Sequence, residues 1–134
     1  MTILVVDDEP DIRGIVADVS RMVAKSASPT ATVLEAESAE AALDLIRLRG
    51  YSPELVISDM TMPGRNGLEM AKIIKKLLPR TPVIILTADP LREDVSLPVN
   101  VTRVLIKPVT CRELLAAIKS ALAGKNSTAT TSHP

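Results

Sequence analysis

The chain has 134 residues and a mass of 14.3 kDa, and its 46% hydrophobic and 24% charged side chains are typical of a single globular domain. Its 16 basic and 16 acidic residues balance, which disfavours direct binding to nucleic acid, and no apolar run approaches the roughly 18 residues of a membrane span. One cysteine and one histidine, Cys111 and His133, argue against an internal disulfide and a zinc cluster, and a lone cysteine fits a cytoplasmic protein.

Short continuous apolar runs predict five strands, of the kind that are buried on both faces of a sheet. They lie at residues 3–6, 31–36, 55–58, 83–86 and 101–106. Between the runs, apolar residues recur at three- and four-residue spacing, which predicts amphipathic helices. Five alternations of strand and helix predict an α/β fold, a doubly wound five-stranded parallel sheet with helices on both faces.

The predicted helices have recognisable ends. The first begins at Pro10, and its predicted apolar face consists of Ile12, Ile15, Val16, Val19, Met22 and Val23. The second runs from a Ser38 cap to Leu48, the third covers 68–78, and the last covers 114–122. Between the fourth and fifth strands, Pro90 and Pro98 bound a weakly periodic segment, so the fourth helix is expected to be short, displaced or irregular. Residues 1–124 are expected to form the domain, with 125–134 as a flexible tail or linker.

Five polar residues follow the predicted strands, at the edge where doubly wound sheets bind ligands. Asp7 and Asp8 follow the first strand, Asp59 the third, Thr87 the fourth and Lys107 the fifth. Three carboxylates at close quarters repel unless a cation lies between them, and all-oxygen ligands favour Mg²⁺. Asp59 precedes a loop rich in turn-forming residues, which makes it the candidate nucleophile towards phosphorus. Lys107 and Thr87 would then contact the transferring phosphoryl group.

Taken singly, each of these residues also has a purely structural interpretation. Asp7 and Asp8 could shape a turn, Asp59 could begin a loop, Thr87 could be a satisfied β-edge residue, and Lys107 could lie on the surface. The functional interpretation therefore depends on all five lying at one end of one sheet. The charge distribution is compatible with it, because residues 1–64 carry 11 acids and 5 bases whereas residues 65–134 carry 5 acids and 11 bases.

At these positions the sequence resembles the receiver domain of response regulators. The resemblance lies in Asp7 and Asp8 after ILVV, in ISDMTMPGRNG around Asp59, in VIILTA with Thr87 and in VLIKP with Lys107, and it extends over residues 2–124. It implies a flavodoxin-like strand order of 2-1-3-4-5. It also implies that Asp59 accepts a phosphoryl group from a phosphohistidine of a sensor histidine kinase or a histidine phosphotransfer protein. Such a domain is a signalling phosphoacceptor rather than an enzyme, because it catalyses only its own phosphorylation and dephosphorylation.

The resemblance further implies the ligands of a magnesium ion. Asp8 and Asp59 would bind Mg²⁺ directly, Asp7 through a water molecule and Thr61 through its backbone carbonyl. Phosphoryl transfer would depend on this ion. The chain departs mildly from the family at Asn100, where glycine is common, and asparagine tolerates left-handed backbone better than most residues do.

The remaining site residues have implied roles in switching and hydrolysis. Lys107 would pair with the phosphoryl oxygens, and Thr87 would turn towards them and report phosphorylation. The side chains of Thr61 and Asp89 would tune the access of hydrolytic water. The family usually carries tyrosine or phenylalanine three residues before the lysine, where this chain has Val104. A valine cannot swing a ring between exposed and buried positions.

Two other classes of protein stay open at this point. One is an interaction module that keeps the fold and ignores phosphate, which Val104 and the unusual segment 88–100 favour. The other is an aspartyl-phosphate hydrolase of another fold, which would want a second acid where this chain has Thr61. A monomer and a homodimer also stay open, as do a stand-alone regulator and one part of a longer chain.

Overall fold

Five parallel strands and four helices make up the computed structural model, which describes residues 1–124. The strands are β1 (Thr2–Val6), β2 (Thr32–Ala36), β3 (Leu55–Asp59), β4 (Val83–Thr87) and β5 (Val101–Ile106). The helices are α1 (Pro10–Ala27), α2 (Ala39–Arg47), α3 (Gly67–Leu77) and α4 (Cys111–Leu122). Among these described helices, none combines the length and the hydropathy that a membrane span requires.

The strand order is β2-β1-β3-β4-β5, and every neighbouring pair is parallel. The predicted doubly wound fold and its 2-1-3-4-5 order are therefore confirmed. The connection after β1 leads to β2 at one edge of the sheet, whereas the connection after β3 leads to β4 on the other side. The two connections therefore run in opposite directions from the neighbouring strands β1 and β3. A crevice forms at such a switch point, outside the carboxyl ends of the strands.

Two aliphatic cores cover the two faces of the sheet. One contains Ile3, Val5 and Ile57 with the buried sides of α1 and α4, and the other contains Leu4 and Ile85 with α2 and α3. The chain has no Phe and no Trp, so branched aliphatic side chains fill both layers together with alanines and methionines. Burial of these side chains on both faces rigidly positions the strand ends that carry the polar residues.

The predicted apolar face of α1 was wrong at two positions. Ile15 and Met22 are 60% and 63% exposed, whereas Val16, Val19 and Val23 are buried against the sheet. The buried side of α1 consists of Val16, Ala17, Val19, Ser20, Val23 and Ala24. At 100° per residue, Ile15 and Met22 lie roughly 120–140° around the helix from the middle of that side. They share an outward flank because they are seven residues apart.

Residues 88–100, all of which the structure describes, connect β4 to β5 without a helix. The expectation of an irregular fourth connection is confirmed, while the prediction of a helix after every strand was wrong here. Pro90 and Pro98 remove backbone donors that a helix would need. Leu91 and Val95 of this segment pack against the core that α2 and α3 share with the sheet, and Ile106 on the edge strand β5 remains 48% exposed.

Candidate functional site

Three carboxylates converge at the carboxyl ends of β1 and β3. Val6 of β1 pairs with Ser58 of β3, so the residues that follow lie side by side. Oxygen atoms of Asp7, Asp8 and Asp59 all lie within 4.8 Å of one another. Asp7 and Asp59 are buried and Asp8 is exposed, which leaves the cluster accessible from one side.

Lys107 reaches this cluster from β5. Its Nζ lies 2.7 Å from Oδ1 of Asp59, and its backbone N–H donates to the Thr87 carbonyl at 2.7 Å. Burial by itself would lower the pKa of Lys107, but the hydrogen bond and the negative charge of Asp59 outweigh it, and the pKa is raised. The ammonium therefore stays charged beside the carboxylates at neutral pH.

Asp7 is the most constrained of the three acids. Its N–H donates to the Ala36 carbonyl at 3.1 Å, its Oδ1 accepts from the Glu9 N–H at 2.9 Å, and its carbonyl accepts from Nη1 of Arg13 at 2.9 Å. Its Oδ2 is buried and has no hydrogen-bond partner. Burial raises the pKa of Asp7, the Glu9 hydrogen bond opposes that rise, and the charge of Asp59 adds to it. A buried carboxylate oxygen without a donor suits a cation.

We expect Asp7→Asn to stabilise the metal-free protein at pH 7 by about 1 kcal/mol, because it removes a buried charge. Since folding raises the pKa of Asp7 above 3.8, lowering the pH protonates the wild-type side chain and shrinks this gain. Urea unfolding in EDTA at pH 7 and pH 4, followed by circular dichroism, measures the effect. Asp44→Asn on the exposed side of α2 is the control. A lower stability of Asp7→Asn at pH 7 would contradict the prediction.

The loop after Asp59 is held tightly against β3. Met60 donates through its N–H to the Leu86 carbonyl at 2.7 Å, and Gly67 donates to the Met60 carbonyl at 2.8 Å. A Cβ on Gly67 would lie 2.6 Å from the Asp59 carbonyl oxygen. Asn66 caps α3 in a reciprocal capping box. The loop therefore brings the first residue of α3, Gly67, back into close contact with the backbone of Asp59.

The predicted site threonines take different positions. Thr87 is buried at the end of β4, and its hydroxyl donates to the Asp89 carbonyl at 2.9 Å and accepts from the Asp89 N–H at 3.3 Å. Its side chain is thus engaged with the segment 88–100. Thr61 lies exposed in the loop two residues beyond Asp59.

Arg13 was not among the residues selected from the sequence. It lies on the first turns of α1, and Nε contacts Oε1 of Glu35 on β2 at 3.1 Å while Nη1 reaches the Asp7 carbonyl. The only sequence signal for it is its place one helical turn after the acidic strand end. Asn100, by contrast, is buried away from the cluster and donates to the Ala71 carbonyl at 3.0 Å.

The fold and the acidic crevice define a class, doubly wound domains with a polar site at the switch point. Within that class, the chain belongs to the response regulator receiver domain family of two-component signalling, whose sequence model matches residues 3–119. It is 34% identical over 125 residues to the phosphate regulon transcriptional regulatory protein PhoB of Pseudomonas aeruginosa, which covers 90% of this chain and 51% of PhoB. It is 35% identical over 109 residues to the regulator of RpoS of Escherichia coli, covering 80% and 30% respectively. The chain spans about half of the first relative and less of the second.

Solved structures agree with this family. A response regulator receiver domain protein from Clostridium thermocellum superposes with a TM-score of 0.75 at 30% identity, covering 92% of this chain and 95% of that one. The receiver domain of the hybrid histidine kinase CckA superposes with a TM-score of 0.67 at 26% identity, covering 91% and 99%. Both likenesses extend over nearly the whole described domain.

Proposed function

We propose that this chain accepts a phosphoryl group on Asp59, in a Mg²⁺-dependent reaction, from a phosphohistidine of a sensor histidine kinase or a histidine phosphotransfer protein. In this proposal residues 1–124 form the receiver unit of a cytoplasmic signalling protein. The observation that carries it is the Asp59 carboxylate, which lies 2.7 Å from the Lys107 ammonium and within 4.8 Å of two further carboxylates. Membership of the receiver family supports the same role.

The acidic cluster fits a magnesium ion by the chemistry of its donors. Three carboxylates supply hard oxygen ligands, and the buried Oδ2 of Asp7 has no other partner. Asp8 and Asp59 would hold the ion directly, Asp7 through water and Thr61 through its carbonyl. When bound, Mg²⁺ would neutralise charge on the transferring phosphoryl group.

The protein's own groups account for the transfer. An oxygen of the Asp59 carboxylate attacks phosphorus, the P–N bond to the donor histidine breaks, and its electron pair remains on the imidazole nitrogen. Lys107 is already positioned beside that carboxylate and pairs with a phosphoryl oxygen as the ion pair reorganises. Thr61, two residues after Asp59, and Asp89, two residues after Thr87, would tune the approach of the water that later hydrolyses the acyl phosphate.

Thr87 connects the site to the segment 88–100. Its hydroxyl bonds both the N–H and the carbonyl of Asp89, so turning towards a phosphoryl oxygen requires it to release them. Val104, opposite Ile85 in the sheet, packs against the same core as Leu91 and Val95 of that segment. Phosphorylation would therefore change how the segment 88–100 lies on this core, without the movement of an aromatic ring.

We expect Val104→Tyr to leave the initial rate of phosphorylation nearly unchanged, because residue 104 lies in the sheet three residues before Lys107 and supplies no group to the reaction. The time course of the phosphorylated species, measured by intact mass with acetyl phosphate as donor, tests this. A large loss of rate would mean that position 104 shapes the site itself.

Intact mass after incubation with acetyl phosphate, in Mg²⁺ and in EDTA, tests the proposed function. We expect one phosphoryl group in Mg²⁺ and none in EDTA, and peptide mapping should locate it on Asp59. If acetyl phosphate fails, a phosphorylated histidine phosphotransfer protein is the second donor. Failure of both donors would favour an interaction module that keeps the receiver fold without phosphorylation.

A further inference from the structure

The turn that carries Asp7 and Asp8 is fixed by hydrogen bonds from three directions. The edge strand β2 accepts the Asp7 N–H at Ala36, the backbone N–H of Glu9 holds Oδ1, and Arg13 holds the carbonyl. These contacts use every hydrogen-bonding group of Asp7 except Oδ2, which stays buried and unpartnered. The direction of Oδ2 is therefore set by the groups that hold the rest of the residue.

Arg13 is the one side chain among these three contacts, and it is itself restrained. Its Nε lies 3.1 Å from Glu35 Oε1 on β2, and its side chain is 19% exposed. A planar guanidinium can make both contacts at once, with different nitrogens and a fixed angle between them. Arg13 thus ties the turn after β1 to the neighbouring strand.

We infer that Arg13 is a positioning residue for cation binding, which it promotes by holding the Asp7 carbonyl so that the carboxylates of Asp7 and Asp8 face the cluster. This inference rests on the proposed function for the identity of the cation. Groups that orient metal ligands from outside the coordination sphere influence affinity by about 10–100-fold in other metal sites.

The direction in which loss of Arg13 changes cation affinity distinguishes a positioning role from a simple electrostatic effect. Arg13 is a cation near three carboxylates, so removing its charge would by Coulomb's law strengthen the binding of a divalent cation. Loss of positioning would weaken it, because the turn would no longer hold the ligands in place. Arg13→Ala therefore changes affinity in opposite directions under the two explanations.

The test measures Mn²⁺ binding by the loss of the free-ion signal in electron paramagnetic resonance, with Mg²⁺ as competitor. We expect Arg13→Ala to weaken Mn²⁺ binding roughly tenfold. The control is Arg21→Ala, because Arg21 contacts the same Glu35 carboxylate at 3.4 Å and Asp18 at 2.9 Å but has no contact with the Asp7 carbonyl. The affinity of Arg21→Ala for Mn²⁺ should stay within roughly twofold of that of the wild type.

A second readout is the Mg²⁺ dependence of phosphorylation by acetyl phosphate. Arg13→Ala should raise the Mg²⁺ concentration for half-maximal rate while approaching the wild-type rate at saturation. A folding defect would lower the maximal rate instead. If Arg13→Ala does not fold, Arg13→Lys replaces it, since a single ammonium cannot hold both partners and should also bind Mn²⁺ more weakly than wild type.

Equal or tighter Mn²⁺ binding by the folded Arg13 variant would overturn the inference, as would a wild-type protein that binds no Mn²⁺. A different result would refute the proposed function. Wild-type protein that binds Mn²⁺ but takes up no phosphoryl group from either donor would refute phosphorylation, while a weakened Arg13→Ala would still support the positioning role.

Discussion

Asp59→Asn is expected to abolish phosphorylation completely, under conditions in which the wild type takes up one phosphoryl group. The amide oxygen is a poor nucleophile, and no second acid occupies the same place: Asp7 is fixed by its hydrogen bonds and Asp8 is exposed at the rim. The substitution is nearly isosteric, so the fold should persist. Intact mass with acetyl phosphate and Mg²⁺ measures the loss.

The matched control is Asp44→Asn, which removes an exposed carboxylate from α2 and should leave uptake at the wild-type level. Both variants should show the circular dichroism spectrum of the wild type. A phosphoryl group that still appears in Asp59→Asn, in Mg²⁺ but not in EDTA, would refute the assignment of Asp59 as the acceptor.

Gly67→Ala should have the largest effect of any conservative change outside the cluster. The new Cβ would lie 2.6 Å from the Asp59 carbonyl oxygen and 3.0 Å from Cδ1 of Ile85. Neither the strand backbone nor the buried isoleucine can move away freely, and such overpacking costs about 1–3 kcal/mol. Because the contact is with Asp59 itself, the initial rate of phosphorylation should fall as well.

Gly14→Ala is the matched control for this prediction. Gly14 lies within α1 and a Cβ there would meet no heavy atom within 4 Å, so the better helix propensity of alanine should stabilise the protein by up to about 1 kcal/mol. Urea unfolding followed by circular dichroism suits both variants, since the chain has no tryptophan. Equal stability of Gly67→Ala and the wild type would contradict the close contact between Gly67 and the Asp59 carbonyl oxygen.

Most of the architecture follows from local sequence patterns. The strand β4 is a continuous apolar run, and α2 and α3 combine regular apolar spacing with caps at Ser38 and Asn66. Pro90 and Pro98 already indicated that the connection between β4 and β5 would be irregular. These features can be predicted from the sequence because the spacing of apolar residues, helix capping and the backbone restrictions of proline all act within a few residues of the chain.

The exposed flank of α1 shows where a local pattern is insufficient. Ile15 and Met22 have the spacing of buried residues, yet the buried side of the helix is rotated away from them towards Ala17, Ser20 and Ala24. The angle at which a helix lies on a sheet decides which side chains it buries. That angle depends on packing against other elements, and here α4 shares the core into which α1 packs.

By itself, the sequence determined the α/β class, the placement of the strands and the polar residues that end them. Only the tertiary structure decided that Arg13 joins the Asp7 carbonyl to Glu35 and that Gly67 approaches Asp59. Strand patterns depend on neighbouring residues, whereas these contacts join separate turns and strands. Their geometry is set by sheet register and by the angles at which helices pack, which no local sequence pattern encodes.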